Sequence, residues 1–97
     1  MPNTTAVVPS GCLEQWRGRE VVLDVASPYV IIGVLRGHDE QFLLLEDADV
    51  HDLRDTSTTR ELYLVDVRKF GIRPTRERVL VRWGEVVSLS LLEDVVR

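Results

Sequence analysis

Tyr29-Val30-Ile31-Ile32-Gly33-Val34-Leu35-Arg36 is apolar at odd and even positions alike, and a glycine stands in its middle. Side chains alternate across a strand, so a run of this kind is apolar on both faces and needs two covers rather than one. Glycine weakens a strand unless the chain bends sharply there or another backbone passes close by. Both requirements are met by a small sheet that bends hard at Gly33, curls over its own core and presents further apolar residues outward.

The rest of the chain supplies partners for that strand. Arg19 to Ala26 alternates, with Val21, Leu23 and Val25 on one face and Glu20, Val22 and Asp24 on the other, and reads as a half-buried strand. A turn at Gly37-His38-Asp39-Glu40 leads into a third strand over Phe42 to Ala48. Arg78 to Trp83 places Val79, Val81 and Trp83 on one face, and Glu85 to Leu92 does the same with Val87, Leu89 and Leu91. Ahead of the strands, Ser10 is a cap for a short helix with Leu13 and Trp16 three apart and Gly18 at its stop.

Asp49 to Pro74 is the ambiguous stretch. Thr58-x-x-Glu61 has the form of a capping box, Tyr63, Val67 and Phe70 fall at helical spacing, and Gly71 can end a helix over about Thr59 to Phe70. Tyr63-Leu64-Val65-Asp66-Val67 is also good strand material. The helical reading gives a mostly β chain: five strands, a helix in front and a helix inserted before the fourth strand. The 97 residues suffice for one domain, with residues 1–9 a flexible start and 49–76 a long connection.

Composition narrows the class. The chain is 44% hydrophobic and 29% charged, which is globular, and its one cysteine, Cys12, excludes an internal disulfide. No apolar run approaches the roughly 18 residues of a membrane span, and Met1 to Ser10 lacks the features of a secretory signal, so the expectation is a soluble cytoplasmic protein without membrane contact. The net charge of -4 disfavours wholesale binding to duplex nucleic acid. Charge is nevertheless divided. Asp39, Glu40, Glu46, Asp47, Asp49, Asp52 and Asp55 crowd the segment 38–55, while Arg68, Lys69, Arg73, Arg76, Arg78 and Arg82 dominate 68–82. The two segments read either as solvated faces, as a basic surface for a polyanion, or as complementary surfaces of neighbouring copies.

Val79-Leu80-Val81 and Val86-Val87-Ser88-Leu89 contain neither proline nor lysine, the residues that commonly block edge-to-edge pairing. If these strands are the sheet's edges, one edge invites the other edge of a second copy, and a closing rotation makes a ring. The expected interface residues are Val79, Leu80, Val81, Val86, Val87 and Leu89.

Taken together, these residues resemble the Sm-like (LSm) family, as a divergent, bacterial-type member. Gly18-x-x-Val21-x-Leu23, Gly33-Val34-Leu35, Asp39 and Leu43-Leu44-Leu45-Glu46-Asp47-Ala48 echo the first family motif, and Val81-Arg82-x-x-Val86-x-x-Leu89 echoes the second. The resemblance implies a small bent five-stranded antiparallel barrel, a homo-oligomeric ring of about six or seven copies, and single-stranded, often uridine-rich RNA as ligand.

Two departures fall in the motifs themselves. Phe42-Leu43 stands where the family has a hydrophobic residue followed by a base-reading asparagine, and Arg82 is followed by Trp83 where the family has glycine. The implied RNA site is Arg82 for phosphate or stacking, Asp39 as acceptor or as orienter of Arg82, and His38, Phe42 and Trp83 as stacking surfaces. The alternative assignment makes Asp39 a turn cap, Phe42 and Trp83 core or interface, and Arg82 an ion-pair member. A ring that has lost RNA and serves as a protein scaffold, capturing a partner through Thr59 to Phe70, is the alternative function.

Asp47-x-Asp49-x-His51 has a faint calcium-loop look, but Asp52 occupies the glycine position and no glutamate stands at Thr58, so no metal is expected. Cys12 with His38 or His51 carries no catalytic signature, and no glycine-rich phosphate loop opens a helix. The expectation is a protein without cofactor or catalytic residues, with Cys12 packed as a small apolar side chain.

Overall fold

A computed structural model describes residues 10–55 and 57–96. The element order is α1 (Ser10–Trp16), β1 (Glu20–Val25), β2 (Tyr29–His38), β3 (Phe42–Asp52), α2 (Arg60–Phe70), β4 (Arg76–Arg82) and β5 (Val86–Leu91). Short 3-10 turns follow β3, β4 and β5, at Leu53–Asp55, Trp83–Glu85 and Leu92–Asp94. The expected flexible start, the Ser10 cap and the packing of the Cys12 side chain lie outside what is described.

All strands are antiparallel in one bent sheet of order β4-β3-β2-β1-β5. The bend has its cause at Gly33. A Cβ there would stand 2.9 Å from the Ala48 Cβ, 3.1 Å from the Glu46 carbonyl oxygen and 3.2 Å from the Ala48 Cα, so β3 crosses at a distance only glycine permits. The β2–β3 register slips at the same place, between Ile32 and Val34, and Asp47 across from it takes a positive φ of 49°.

Each face of β2 has its own cover. Inside the curl, Ile31 and Leu35 pack with Val21, Leu23, Leu43, Leu45 and Val81, closed from one end by Leu13 and Trp16 of α1. On the outside, Val30 and Ile32 join Val22, Leu64, Val67 and Leu92 in a second core. This corrects the half-buried reading of β1. Val22 is 1% exposed, because the inserted helix lies over the face that would otherwise meet water.

The helix itself starts one residue later than its box suggests. Thr59, not Thr58, is the cap, accepting from the Leu62 amide at 3.2 Å. Gly71, at φ 91°, ends the helix and donates its N–H to Val67. Its buried stripe is Leu64 and Val67 with Tyr63 beside them, whereas Phe70, expected on that stripe, is 77% exposed at the last helical position.

Further differences concern turns and bulges. β2 continues through Gly37 to His38, which moves the turn to Asp39–Gln41. β3 runs to Asp52 and β4 begins at Arg76, so the connection shrinks to 53–75 and Asp49 and Asp52 become strand residues. In β5 the expected apolar face breaks at Val87. Asp24 pairs with Ser88 but Val25 pairs with Val86, leaving Val87 as an extra residue, so Val86, Leu89 and Leu91 turn to the core while Val87 is 70% exposed.

Candidate functional site

The turn between β2 and β3 is held by Asp39. Its backbone N–H donates to the Phe42 carbonyl at 2.9 Å, and its carboxylate accepts from the Gln41 and Phe42 amides, each at 2.8 Å. Those bonds, Phe42 first and Gln41 second, hold the carboxyl below its ordinary value of 3.8. Asp39 therefore caps a turn, and no hydrogen bond or ion pair joins it to Arg82 among the described residues.

The connection from β4 to β5 docks on that turn. The Trp83 amide donates to the Gln41 carbonyl at 2.9 Å and its indole N–H to the Asp39 carbonyl at 2.8 Å. Across the β3–β4 ladder Phe42 stands opposite Arg82. Phe42, Arg82 and Trp83, with Glu40, Gln41 and Gly84, line a cleft of about 460 Å3. Arg82 is exposed, and Phe42 and Trp83 line the same cleft.

Of the five residues expected to form the site, three meet in this cleft. His38 stands behind it, pairing with Leu43 across β2–β3 and meeting the Trp83 ring edge-on at 6.4 Å between centroids. Its Nε2 is 3.5 Å from a Glu14 oxygen, an ionic contact only when the ring is protonated. Glu14 also accepts from Arg17 at 3.1 Å, which is the main reason its carboxyl lies below the ordinary 4.5. Gln41, Glu40 and Gly84 were not foreseen as lining residues; their only signal was adjacency to Phe42 and Trp83.

The expected interface residues separate by burial. Val81 is buried, Val79, Val86 and Leu89 are half-buried against the inner core, and Leu80 and Val87 stand 62% and 70% exposed, one on each outer strand. Between those strands the barrel opens as a groove of about 320 Å3 lined by Val25, Tyr29, Ile31, Val50, Val79 and Val81 among others.

The acidic segment is largely engaged within the chain. Arg36 binds Glu46 at 2.8 Å, and Arg78 faces Glu46 across β3–β4. Arg54 binds Asp52 at 2.9 Å. Asp49 accepts from the Tyr63 hydroxyl and, at 3.0 Å, from Thr75, while His51 stacks on Tyr63 at 3.9 Å and 8°. Burial, then the Asp49 hydrogen bond, push the Tyr63 hydroxyl well above its ordinary range. This cluster borders a concavity of about 370 Å3 that also includes Asp66, Phe70 and Arg73. It was not legible in the sequence, because it depends on where α2 crosses β3. Among the described residues, no three His, Cys, Asp or Glu side chains converge as metal ligands would, and no helix is long and apolar enough to cross a membrane.

No family model matches the sequence, and no curated protein matches it. Solved structures do match. An Sm protein of Pyrococcus abyssii in complex with a uridine heptamer superposes with a TM-score of 0.57 at 15% identity, over 87% of this chain and 97% of that one. The P. aerophilum SmAP1 heptamer gives 0.56 at 21% identity, over 92% and 96%. A chain of the NatC complex bound to Gag peptide and CoA gives 0.56 at 18% identity, over 81% and 89%. The chain has the Sm-like fold.

Proposed function

We propose that the chain is a ring-forming Sm-like protein that holds single-stranded RNA in the cleft of Phe42, Arg82 and Trp83. The observation that carries the ring is the strand order: β4 and β5 are the two outer strands, and neither has a second neighbour among the described residues. Their free N–H and C=O groups are a pairing surface, and head-to-tail use of two different edges closes into rings. The heptamer among the matching solved structures supports a ring of about six or seven copies.

The RNA reading rests on the cleft. A cleft that holds an exposed arginine and two aromatic side chains offers a base surfaces to stack on and a phosphate one charge, and each stacked base contributes roughly 1 to 3 kcal/mol. With Leu43 standing where the family has its base-reading asparagine, such a site favours stacking over sequence. The structure of a Sm protein with a uridine heptamer supports the class of ligand. Fluorescence anisotropy with a short uridine oligomer tests it: binding that weakens with salt and is lost in Arg82→Ala supports the reading, and no binding at low salt removes it.

A scaffold without RNA is the second reading, favoured by the turn-bound Asp39 carboxylate and by the exposed Leu62 and Phe70 on α2. Shortening α2 cannot test it, because the same helix covers the outer core. Leu62→Ser with Phe70→Ser keeps that core; loss of a co-purifying protein from the doubly substituted ring supports the scaffold, and an unchanged partner set counts against it.

A further inference from the structure

The β5 edge is shaped by a clamp that reaches it from the inserted helix. Asp24 of β1 lies at the centre. One carboxylate oxygen binds the Arg60 guanidinium at 3.1 Å, from the first residue of α2, and the other accepts from the Ser88 hydroxyl at 2.8 Å, on β5. Both Asp24 and Arg60 are largely shielded, so this ion pair is less screened than a surface pair. The β1–β5 register slips between Asp24 and Val25, immediately beside the clamp.

The slip decides what the edge presents. With Ser88 paired to Asp24 and Val86 to Val25, Val87 has no partner on β1 and stands 70% exposed on the outer strand. A bulge on an edge strand commonly obstructs pairing or re-aims a side chain. Here the re-aimed residue is an apolar one, and the other free edge also carries one exposed apolar residue, Leu80. Antiparallel addition, the direction of every pairing in the sheet, brings the β4 edge that carries Leu80 alongside the β5 edge of a second copy.

We propose that the Arg60–Asp24–Ser88 clamp is an assembly control: α2 fixes the β5 bulge, and with it the position of Val87, so that the β5 edge keeps a shape that receives the β4 edge of a second copy. The inference rests on the ring reading and adds a role for the inserted helix, which acts at the interface without touching it. Asp24, Arg60 and Ser88 are positioning residues. When Arg60 lets go, the outer core still holds α2 through Leu64 and Val67, but Asp24 is free to release Ser88 and the edge loses its set shape.

The test is sedimentation velocity over a concentration series on the full chain and on Arg60→Ala, Ser88→Ala, their combination and Arg60→Lys, with far-ultraviolet circular dichroism on each. Ser88→Ala touches no core residue and keeps the test valid if Arg60→Ala folds poorly. Each single change is expected to raise the half-assembly concentration by about tenfold, as loss of one charge-assisted hydrogen bond does. The combination is expected to do no more than either alone, since both break one clamp, and Arg60→Lys to recover part of the loss. A wild-type ring with unchanged Arg60→Ala and Ser88→Ala assembly, or losses that simply multiply in the combination, overturns the clamp and leaves the ring standing. A wild type that stays monomeric overturns the ring and the clamp with it.

Discussion

The indole N–H of Trp83 donates to the backbone carbonyl of Asp39 at 2.8 Å, joining the β4–β5 connection to the β2–β3 turn. Two segments separated by half the chain thereby become one wall of the cleft. Trp83→Phe keeps a ring but removes the donor, and is expected to cost about 1 kcal/mol in stability. Chemical denaturation measures it. If the ring alone mattered, Trp83→Phe would match the wild type.

Gly33 sets the bend, and its replacement tests that directly. Gly33→Ala places a methyl group against Ala48 and the Glu46 carbonyl, at distances that require backbone to move. The expected cost is about 1 to 3 kcal/mol, in the range of overpacked cores. A urea midpoint unchanged from wild type would mean that β3 can step aside and that the bend has another cause.

Asp39 gives a pH signature. Its folded pKa lies below 3.8, so its contribution is fully present above that value and is lost as pH falls through the lower folded value. In Asp39→Asn the carboxylate is gone. The stability gap between wild type and Asp39→Asn is therefore expected to be constant near neutrality and to close on acidification below about pH 4. A gap of the same size at every pH would show that charge plays no part in the turn.

α2 is a structural cover as well as an insertion. Thr59→Ala removes its cap and is expected to cost about 1 kcal/mol. Leu64→Ala opens the outer core over Val22, Val30 and Ile32, at a cost of about 2 to 5 kcal/mol. Thermal denaturation of both variants separates these figures from the near-zero change expected if α2 merely rode on the barrel.

Local patterning made much of this legible. The period of two in β1 and β4, the glycine in β2 and the order of elements needed only near neighbours in sequence, and the structure has them all. What escaped depends on distant segments. Val22 sits at a position that alternation assigns to solvent, and only a helix some forty residues away buries it. Val87 follows the alternation of Leu89 and Leu91 in sequence, but a register slip against β1 turns it outward. Thr58 and Thr59 are both able caps, and the choice between them follows from where the helix must begin to seat Leu64 and Val67. That Phe42, Arg82 and Trp83 lie near one another follows from the sequence order of turn and strands, whereas the choice of turn cap over Arg82 partner for Asp39, and the position of His38 behind Trp83, depend on the folded structure.

Native mass spectrometry of the purified, nuclease-treated protein addresses the main point most directly, since open β4 and β5 edges are the reason to expect assembly at all. A single closed species at about six or seven times the 11.1 kDa chain mass is expected. A lone 11.1 kDa chain at high micromolar concentration contradicts it.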